Sequence, residues 1–511
     1  MYFYVKSTLM SKRPNILLIT SDQQHYDTIG LTNPKIKTPA LDRLCNEGTR
    51  FSRAYCPNPT CTPTRASIIT GMYPSLHGAW SLGTKLDENV PTVGELLKEQ
   101  GYATSLIGKA HFQPLASAPD QTSIECMPLL RDLDYWRNFK GPWYGFDHVE
   151  ITRNHADEPM AGAHYGIWLE EQGVKDWQKY FRTWPENKQT RIHKWDLPQE
   201  LHYTTWTAER TIADLERHAD ADEPFFTWAS FHDPHPAYLV PEPWDTMYDP
   251  AEMDIGEKQP VEFENMPPQY ALTQQEKPDF SEYQETPFGN HGFSSHLIPE
   301  ERRRKDMAVY YGMTSFMDQQ IGRILDKLDE LGIAENTIVV FSTDHGHLMG
   351  HHGLTAKGAF PYEDLIRLPF IVRWPGKTPA GQNSSALQSL VDLAPTFLKA
   401  AEGDIPGWMQ GVDQSEVWNG QKDAARDSAI CEFRHQPTKV QLRTYIENRY
   451  KMTIYRDQTY GELFDLESDP GELHNRWDDA DYAEVKSQLM QRFLNAELQR
   501  EPMRYPRISG A

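Results

Sequence analysis

The chain has 511 residues, with 73 acidic against 51 basic side chains and a formal charge of −22, so its long-range field repels nucleic acid and anionic membrane surfaces. An anionic small molecule must therefore be held by a local cationic pocket working against that field. The five cysteines, Cys45, Cys56, Cys61, Cys126 and Cys431, form no framework pattern and favour a reducing compartment over a disulfide-stapled fold.

This length predicts one large and one smaller domain and suits an enzyme. The opening MYFYVKSTLMSKRPNILLIT has no basic region leading into an apolar core and a small-residue cleavage site. No apolar run reaches the roughly 20 residues of a membrane span. The expectation is a soluble, cytoplasmic protein with no nucleic-acid or membrane partner.

In chain order, RPNILLIT reads as a buried strand that stops at SDQQ. TPALDRLCNEG reads as a short helix with a Thr cap, Pro in its first position and Gly at its end. TVGELLKEQG is a second capped helix, feeding the strand YATSLIGKAHF. PFFTWASFHDPHP, NTIVVFSTDHGH and LPFIVRWPG repeat one pattern, an apolar run ending in charged or imidazole side chains. Buried strands mixed with helices argue an α/β fold with a large central sheet and a site at the carboxyl ends of its strands. Residues 113–215, rich in Trp and Tyr without clean periodicity, read as an insertion walling a pocket or making a subunit contact, with a covering layer over the sheet as the alternative. Residues 240–300 read as Pro- and Glu-rich covering loop. The catalytic domain is expected over 1–425. Residues 426–511 form a smaller C-terminal α+β subdomain, with antiparallel strands from SAICEF to GELFDLESD and the amphipathic helix YAEVKSQLMQRFLNAEL.

Asp22 and Gln23 directly follow the first strand, and Asp344 and His345 follow NTIVVFST. Their oxygens and imidazole suit a divalent cation, leaning toward calcium, magnesium or manganese over a thiolate-selected metal. Either Asp alone could equally cap a helix. Cys61, with Arg65 four residues on and a helix beginning at it, could be an activated thiolate. CTPTR, with Pro63 lacking an amide hydrogen, does not, however, supply the run of backbone amides that a cysteine phosphatase loop needs. A buried structural cysteine is the plain alternative.

The segment Cys61-Thr62-Pro63-Thr64-Arg65 resembles the signature of type I sulfatases of the alkaline phosphatase superfamily, whose cysteine is oxidised to formylglycine. Thr64 departs from the usual Ser or Ala. The resemblance continues, in family order, through RPNILLITSDQQ, GMYPSLHG, GYATSLIGKAHF, FHDPHPAY, FSTDHGHLMGHHGLTAKGAFPYE and YGELFDLESDPGELHN. It implies a superfamily-type sandwich, one Ca2+ or Mn2+ ion on Asp22, Gln23, Cys61, Asp344 and His345, and formylglycine made from Cys61 by a formylglycine-generating enzyme. It further implies that Arg65 orients the hydrated aldehyde and that Lys109, His235 and Lys357 form the cationic pocket for sulfate. One of His235 or Lys357 protonates the leaving oxygen, and His111 takes the proton from the second hydroxyl.

Gln23 stands where many sulfatases carry a second Asp and is similar to the phosphonate monoester hydrolases and their arylsulfatase relatives. GKAHF argues the other way, since that group is expected to lack this Lys and His. The implied reaction is hydrolysis of a small sulfate monoester, an aryl sulfate first. Phosphonate monoester or phosphodiester hydrolysis and a choline-sulfatase-like reaction are the alternatives. His25, His77, His351 and His352 are expected to line the pocket or orient ligands, while Arg53 and Asp233 could equally be structural. A homo-oligomer, dimer or tetramer, is expected from the aromatic segment and the C-terminal tail.

Overall fold

A computed structural model describes residues 13–153, 161–181, 192–256, 265–290, 292–293, 296–503, 505 and 507–510. The N-terminal residues 1–12, on which much of the leader reading falls, lie outside this set. The centre is an eight-stranded mixed sheet in the order Gln382–Ser384, Thr49–Phe51, Ile371–Arg373, Thr337–Thr343, Asn15–Ser21, Phe225–Ser230, Ala103–Gly108 and His148–Ile151. Five neighbouring strands, from Thr337–Thr343 to His148–Ile151, run parallel.

Alternation along Asn15–Ser21 shows how the layers form. Ile16 and Leu18 point into one apolar cluster with Leu97 and Phe397, whereas Leu17 and Ile19 point into another with Leu41, Leu215 and Ile324. Both faces are thus covered by helices, which explains the uninterrupted apolar reading of the strand. A second, four-stranded antiparallel sheet spans Ala429–Arg434, Gln441–Ile446, Tyr450–Tyr455 and Gly461–Asp465, followed by the helix Ala483–Gln499.

The span 113–215 contains sheet and helix elements as well as loops. His148–Ile151 is the edge strand of the central sheet, and the helix Tyr203–Ala219 packs on it through Ala208 and Leu215. Its aromatic residues hide the periodicity because ten buried side chains, Tyr165, Trp177 and Trp206 among them, form a local core of their own. The 31-residue helix Glu300–Glu330, not anticipated from the sequence, carries a cap for another helix. Asp318 accepts hydrogen bonds from the amides of Ala40 and Leu41 at 2.9 and 2.8 Å. Thr38, the expected cap, instead accepts from the Gly30 amide and donates to Asp42. Among the described residues no helix is long and apolar enough to cross a membrane.

Candidate active site

Parallel register decides where the chemistry collects. Ser21 pairs with Thr343, Thr20 with Ser230, and Gly108 with Ser230. The residues just beyond these ends, Asp22, Asp344 and Lys109, therefore emerge at one edge of the sheet. Gly108 makes this possible at its strand: its φ is +102° and a Cβ there would stand 1.9 Å from the Ser230 carbonyl oxygen. Gln23 also turns with a positive φ of 58°. That conformation is held by its amide on Asp344 Oδ1 at 3.1 Å and by the Tyr310 hydroxyl, which donates to its carbonyl at 2.7 Å.

Cys61 opens the helix Cys61–Thr70, every residue of which is buried. His77 fixes this helix from below, with its Nε2 3.1 Å from Ser67 Oγ and 3.2 Å from the Pro63 carbonyl oxygen. Cys61 Sγ lies 3.0 Å from Lys357 Nζ, 3.2 Å from His345 Nε2, 3.7 Å from Asp22 Oδ1 and 4.0 Å from Lys109 Nζ. Ligand atoms of Asp22, Cys61, Asp344 and His345 all lie within 4.8 Å of one another. Burial, then Asp22, pushes the Cys61 thiol up against the pull of Lys109 and Lys357. That direction opposes the thiolate reading.

Two tautomers follow from neighbouring carbonyls, which can only accept. His345 Nδ1 is 2.9 Å from the Gly346 oxygen and so carries its proton, leaving Nε2 a lone pair toward the cluster. His235 Nδ1 is bonded to the Pro236 carbonyl, leaving Nε2 to accept from Lys357 Nζ at 3.1 Å. Burial lowers the His345 imidazole to about 4. Burial and then Lys357 hold His235 well below its ordinary value. The pocket's positive charge at this point is therefore that of the lysines, not of His235.

Asp22 illustrates the balance. Burial alone would raise its carboxyl, but Lys109, with Arg65 and Lys357, holds it well below the usual carboxylate range. Lys109 Nζ donates directly to Asp22 Oδ2. Arg65, fully buried, donates from Nε to Asp344 Oδ2 at 2.9 Å and from Nη1 to Ser230 Oγ at 2.7 Å and the Lys109 carbonyl at 2.9 Å. Its one carboxylate hydrogen-bond partner is Asp344; among the described residues the hydrogen bonds of the Cys61 sulfur reach neither Arg65 nor His111. His111 has a φ of 60°, and the carboxylate of Glu125 binds the amides of His111, Phe112 and Gln113 at 2.9, 2.8 and 3.0 Å. Its ring Nδ1 is buried without a hydrogen-bond partner.

The secondary candidates divide. His25 and His351 both contact Asp364, at 2.7 and 3.3 Å, and His352 stacks on Tyr362 with ring centroids 3.6 Å apart. These three brace the loop after Lys357. Arg53 donates to the Glu447 carbonyl at 2.7 Å. Asp233 accepts from Tyr203 and Thr204, and its carbonyl receives the Asp22 amide at 3.1 Å. His347 was missed by sequence reasoning. Its Nδ1 is 2.7 Å from Gln23 Nε2 and its Nε2 2.8 Å from the Tyr238 hydroxyl. Its nearness in sequence to Asp344 and His345 was the one hint, and that spacing does not reveal the contact with Gln23.

The sulfatase family profile matches residues 14–403, and a profile described as N-sulphoglucosamine sulphohydrolase, C-terminal, matches residues 350–499. The chain belongs to the sulfatase family. An uncharacterized sulfatase YidJ of Escherichia coli K12 is 29% identical over 492 residues, covering 95% of this chain and 87% of that protein. An arylsulfatase of Clostridium perfringens is 28% identical over 494 residues, covering 95% of each. The crystal structure of a phosphonate monoester hydrolase of Agrobacterium radiobacter superposes with a TM-score of 0.79 at 24% identity, covering 97% of this chain and 98% of that one. That likeness speaks to the shared alkaline-phosphatase-like fold.

Proposed function

We propose that this protein hydrolyses sulfate monoesters, aryl sulfates among them, at the site around Cys61, after that cysteine is oxidised to formylglycine. The observation that carries the reading is the position of Cys61 Sγ, within 3.0 to 4.0 Å of Lys357, His345, Asp22 and Lys109. In the unmodified chain that sulfur stands in for the oxygen functions of formylglycine. A divalent cation fits the surrounding residues. Gln23 Oε1 is buried with no hydrogen-bond partner, while the Gln23 amide nitrogen is engaged by His347. The donor set of Asp22, Gln23, Asp344 and His345, oxygen-rich with one imidazole, suits calcium or manganese.

The hydrated aldehyde supplies two hydroxyls on one carbon, one to attack sulfur and one to expel sulfate, and the cation supplies the charge that favours the ionised first hydroxyl. Lys109 and Lys357 would face the sulfate oxygens and offset the charge that accumulates as the ester bond breaks. Lys357 would hand a proton to the leaving oxygen, since the lone pair on His235 Nε2 makes His235 its acceptor. Arg65 would keep Asp22 and Asp344 in place, and His111 would accept the proton of the second hydroxyl.

Gln23 favours a second reading. One carboxylate fewer leaves the site more positive, which suits a more highly charged phosphoryl centre. Lys109 beside Asp22 supports the sulfate order. Steady-state comparison of matched aryl sulfate, phosphonate monoester and phosphodiester substrates tests both. The expected specificity constant is largest for the sulfate; a larger value for the phosphonate would reverse the assignment.

A further inference from the structure

Beside the site lies a cavity of about 270 Å³, near the lower bound of small-molecule pockets. Its inner wall is made by Pro236, Tyr238, His347 and Ala356. These belong to the same three loops that carry His235, His345 and Lys357. Tyr238 is also bonded to His347, which holds Gln23. Pro236 and Ala356 directly adjoin His235 and Lys357 in the chain, so the cavity borders the loops that carry the reacting groups.

The opposite wall comes from the first turns of the long helix, where four successive cations, Arg302, Arg303, Arg304 and Lys305, precede Asp306. Helical spacing partners three of them. Arg302 pairs with Asp306 at 2.7 Å, Arg304 with Glu300 at 2.8 Å and Lys305 with Glu301 at 3.0 Å, each four residues apart. Arg303 has Pro299 and Met307 at those two positions, so the helix offers it no carboxylate four residues away. Among the described residues no carboxylate lies within ion-pair distance of it. Its Nε is buried with no hydrogen-bond partner, and Nη1 makes only a 3.4 Å contact with the Gly350 carbonyl. Gly350 has a φ of +106°, and a Cβ there would stand 2.9 Å from Arg303 Nη1, so the glycine admits the guanidinium to the cavity wall. In a chain of charge −22, Arg303 is thus a half-buried arginine with no ion-pair partner among the described residues, Glu300 one turn back being the acidic group that acts on it, and it lines this cavity.

We propose that this cavity receives an oxyanion, a carboxylate or a second sulfate, carried by the alcohol that leaves, with Arg303 supplying the counter-charge and the apolar wall of Ile298, Leu348 and Met349 covering the ring that bears it. The inference rests on the sulfate-ester reading and narrows it to acidic leaving groups, such as a hydroxybenzoate or an acidic sugar.

The test uses 3-carboxyphenyl sulfate, its neutral methyl ester and benzene-1,3-diyl disulfate with the mature enzyme. The expected specificity constant for one or both anionic substrates exceeds that of the methyl ester by about tenfold, close to one charge-assisted contact. Preference for the carboxylate or for the disulfate identifies which oxyanion the cavity suits. Arg303→Gln should remove that preference while changing methyl-ester turnover less than about twofold, and Arg303→Lys should restore part of it. Equal turnover of ester and anions, or an equal loss for all three in Arg303→Gln, overturns the proposal. If no sulfate ester is turned over, the sulfate-ester reading fails, and calorimetric titration with 3-hydroxybenzoate and methyl 3-hydroxybenzoate decides the cavity separately. Tighter binding of the acid, lost in Arg303→Gln, upholds it; no difference between the two contradicts it.

Discussion

Lys357 Nζ lies 3.0 Å from Cys61 Sγ although the two residues are 296 positions apart. The same ammonium group reaches His235 Nε2 at 3.1 Å and His345 Nε2 at 3.2 Å. One flexible side chain therefore joins the nucleophile position, a candidate metal ligand and a neutral imidazole that accepts its hydrogen bond.

Replacing Lys357 by Ala should lower kcat/KM on an aryl sulfate by about 10²–10³-fold, the scale of losing a preorganised transition-state donor. The loss should shrink as the leaving group becomes a more acidic phenol, because that oxygen needs a proton least. A series of phenyl sulfates of graded acidity measures it. A loss independent of the leaving group would assign Lys357 to sulfate binding alone.

His347 is expected to act through Gln23. His347→Ala removes the acceptor of the Gln23 amide and should weaken cation binding by about 10–100-fold, in the manner of outer partners at metal sites. Metal content after dialysis against graded chelator reads this directly. A merely structural role for His347 would lower the melting temperature without shifting the chelator midpoint.

Arg65 is buried between acidic partners, with Nε 2.9 Å from Asp344 Oδ2 and Nη2 3.7 Å from Asp22 Oδ2. Arg65→Ala leaves uncompensated carboxylates in the interior and should destabilise the metal-free protein by about 3–5 kcal/mol. Arg65→Lys keeps the charge but cannot keep the fork to Asp344, Ser230 and the Lys109 carbonyl, so activity should fall more than stability. Chemical denaturation and aryl sulfate turnover on the same preparations separate the two effects.

The fold and the reacting groups were legible to different degrees. Asp22, Asp344 and Lys109 could be placed because each follows an apolar strand, and parallel strands bring such ends to one edge. Cys61 could be placed only through its motif, since nothing in its own composition separates it from Cys45 or Cys431. His347 escaped because its role depends on the left-handed turn of Gln23, which no local pattern signals. The long helix was missed because its polar opening, from Glu300 to Asp306, hides an interior whose buried face begins only at Met307. The edge strand His148–Ile151 is four residues long and embedded in aromatic sequence, too short for alternation to declare itself.

Glu462 gives a pH dependence with a definite sign. Burial raises its carboxyl from 4.5 to about 7, against the opposing hydrogen bond from Tyr455. In the unfolded chain it ionises near the lower value, so folding is favoured fully below that value and loses stability as pH rises toward 7. Glu462→Gln keeps an acceptor for the tyrosine hydroxyl and removes the ionisation. Between pH 5 and 8 the wild type should lose about 2–3 kcal/mol more than the variant, as the size of the shift dictates. Parallel pH-stability curves showing no such divergence would contradict it.

The most direct measurement is mass spectrometry of the Cys61 peptide across preparations that differ in aryl sulfatase activity. The expected result is a species about 18 Da lighter than the thiol form, in proportion to activity, and no turnover in protein carrying only the thiol. Full activity in a preparation whose Cys61 is entirely thiol would contradict it and return the chemistry to the cysteine itself.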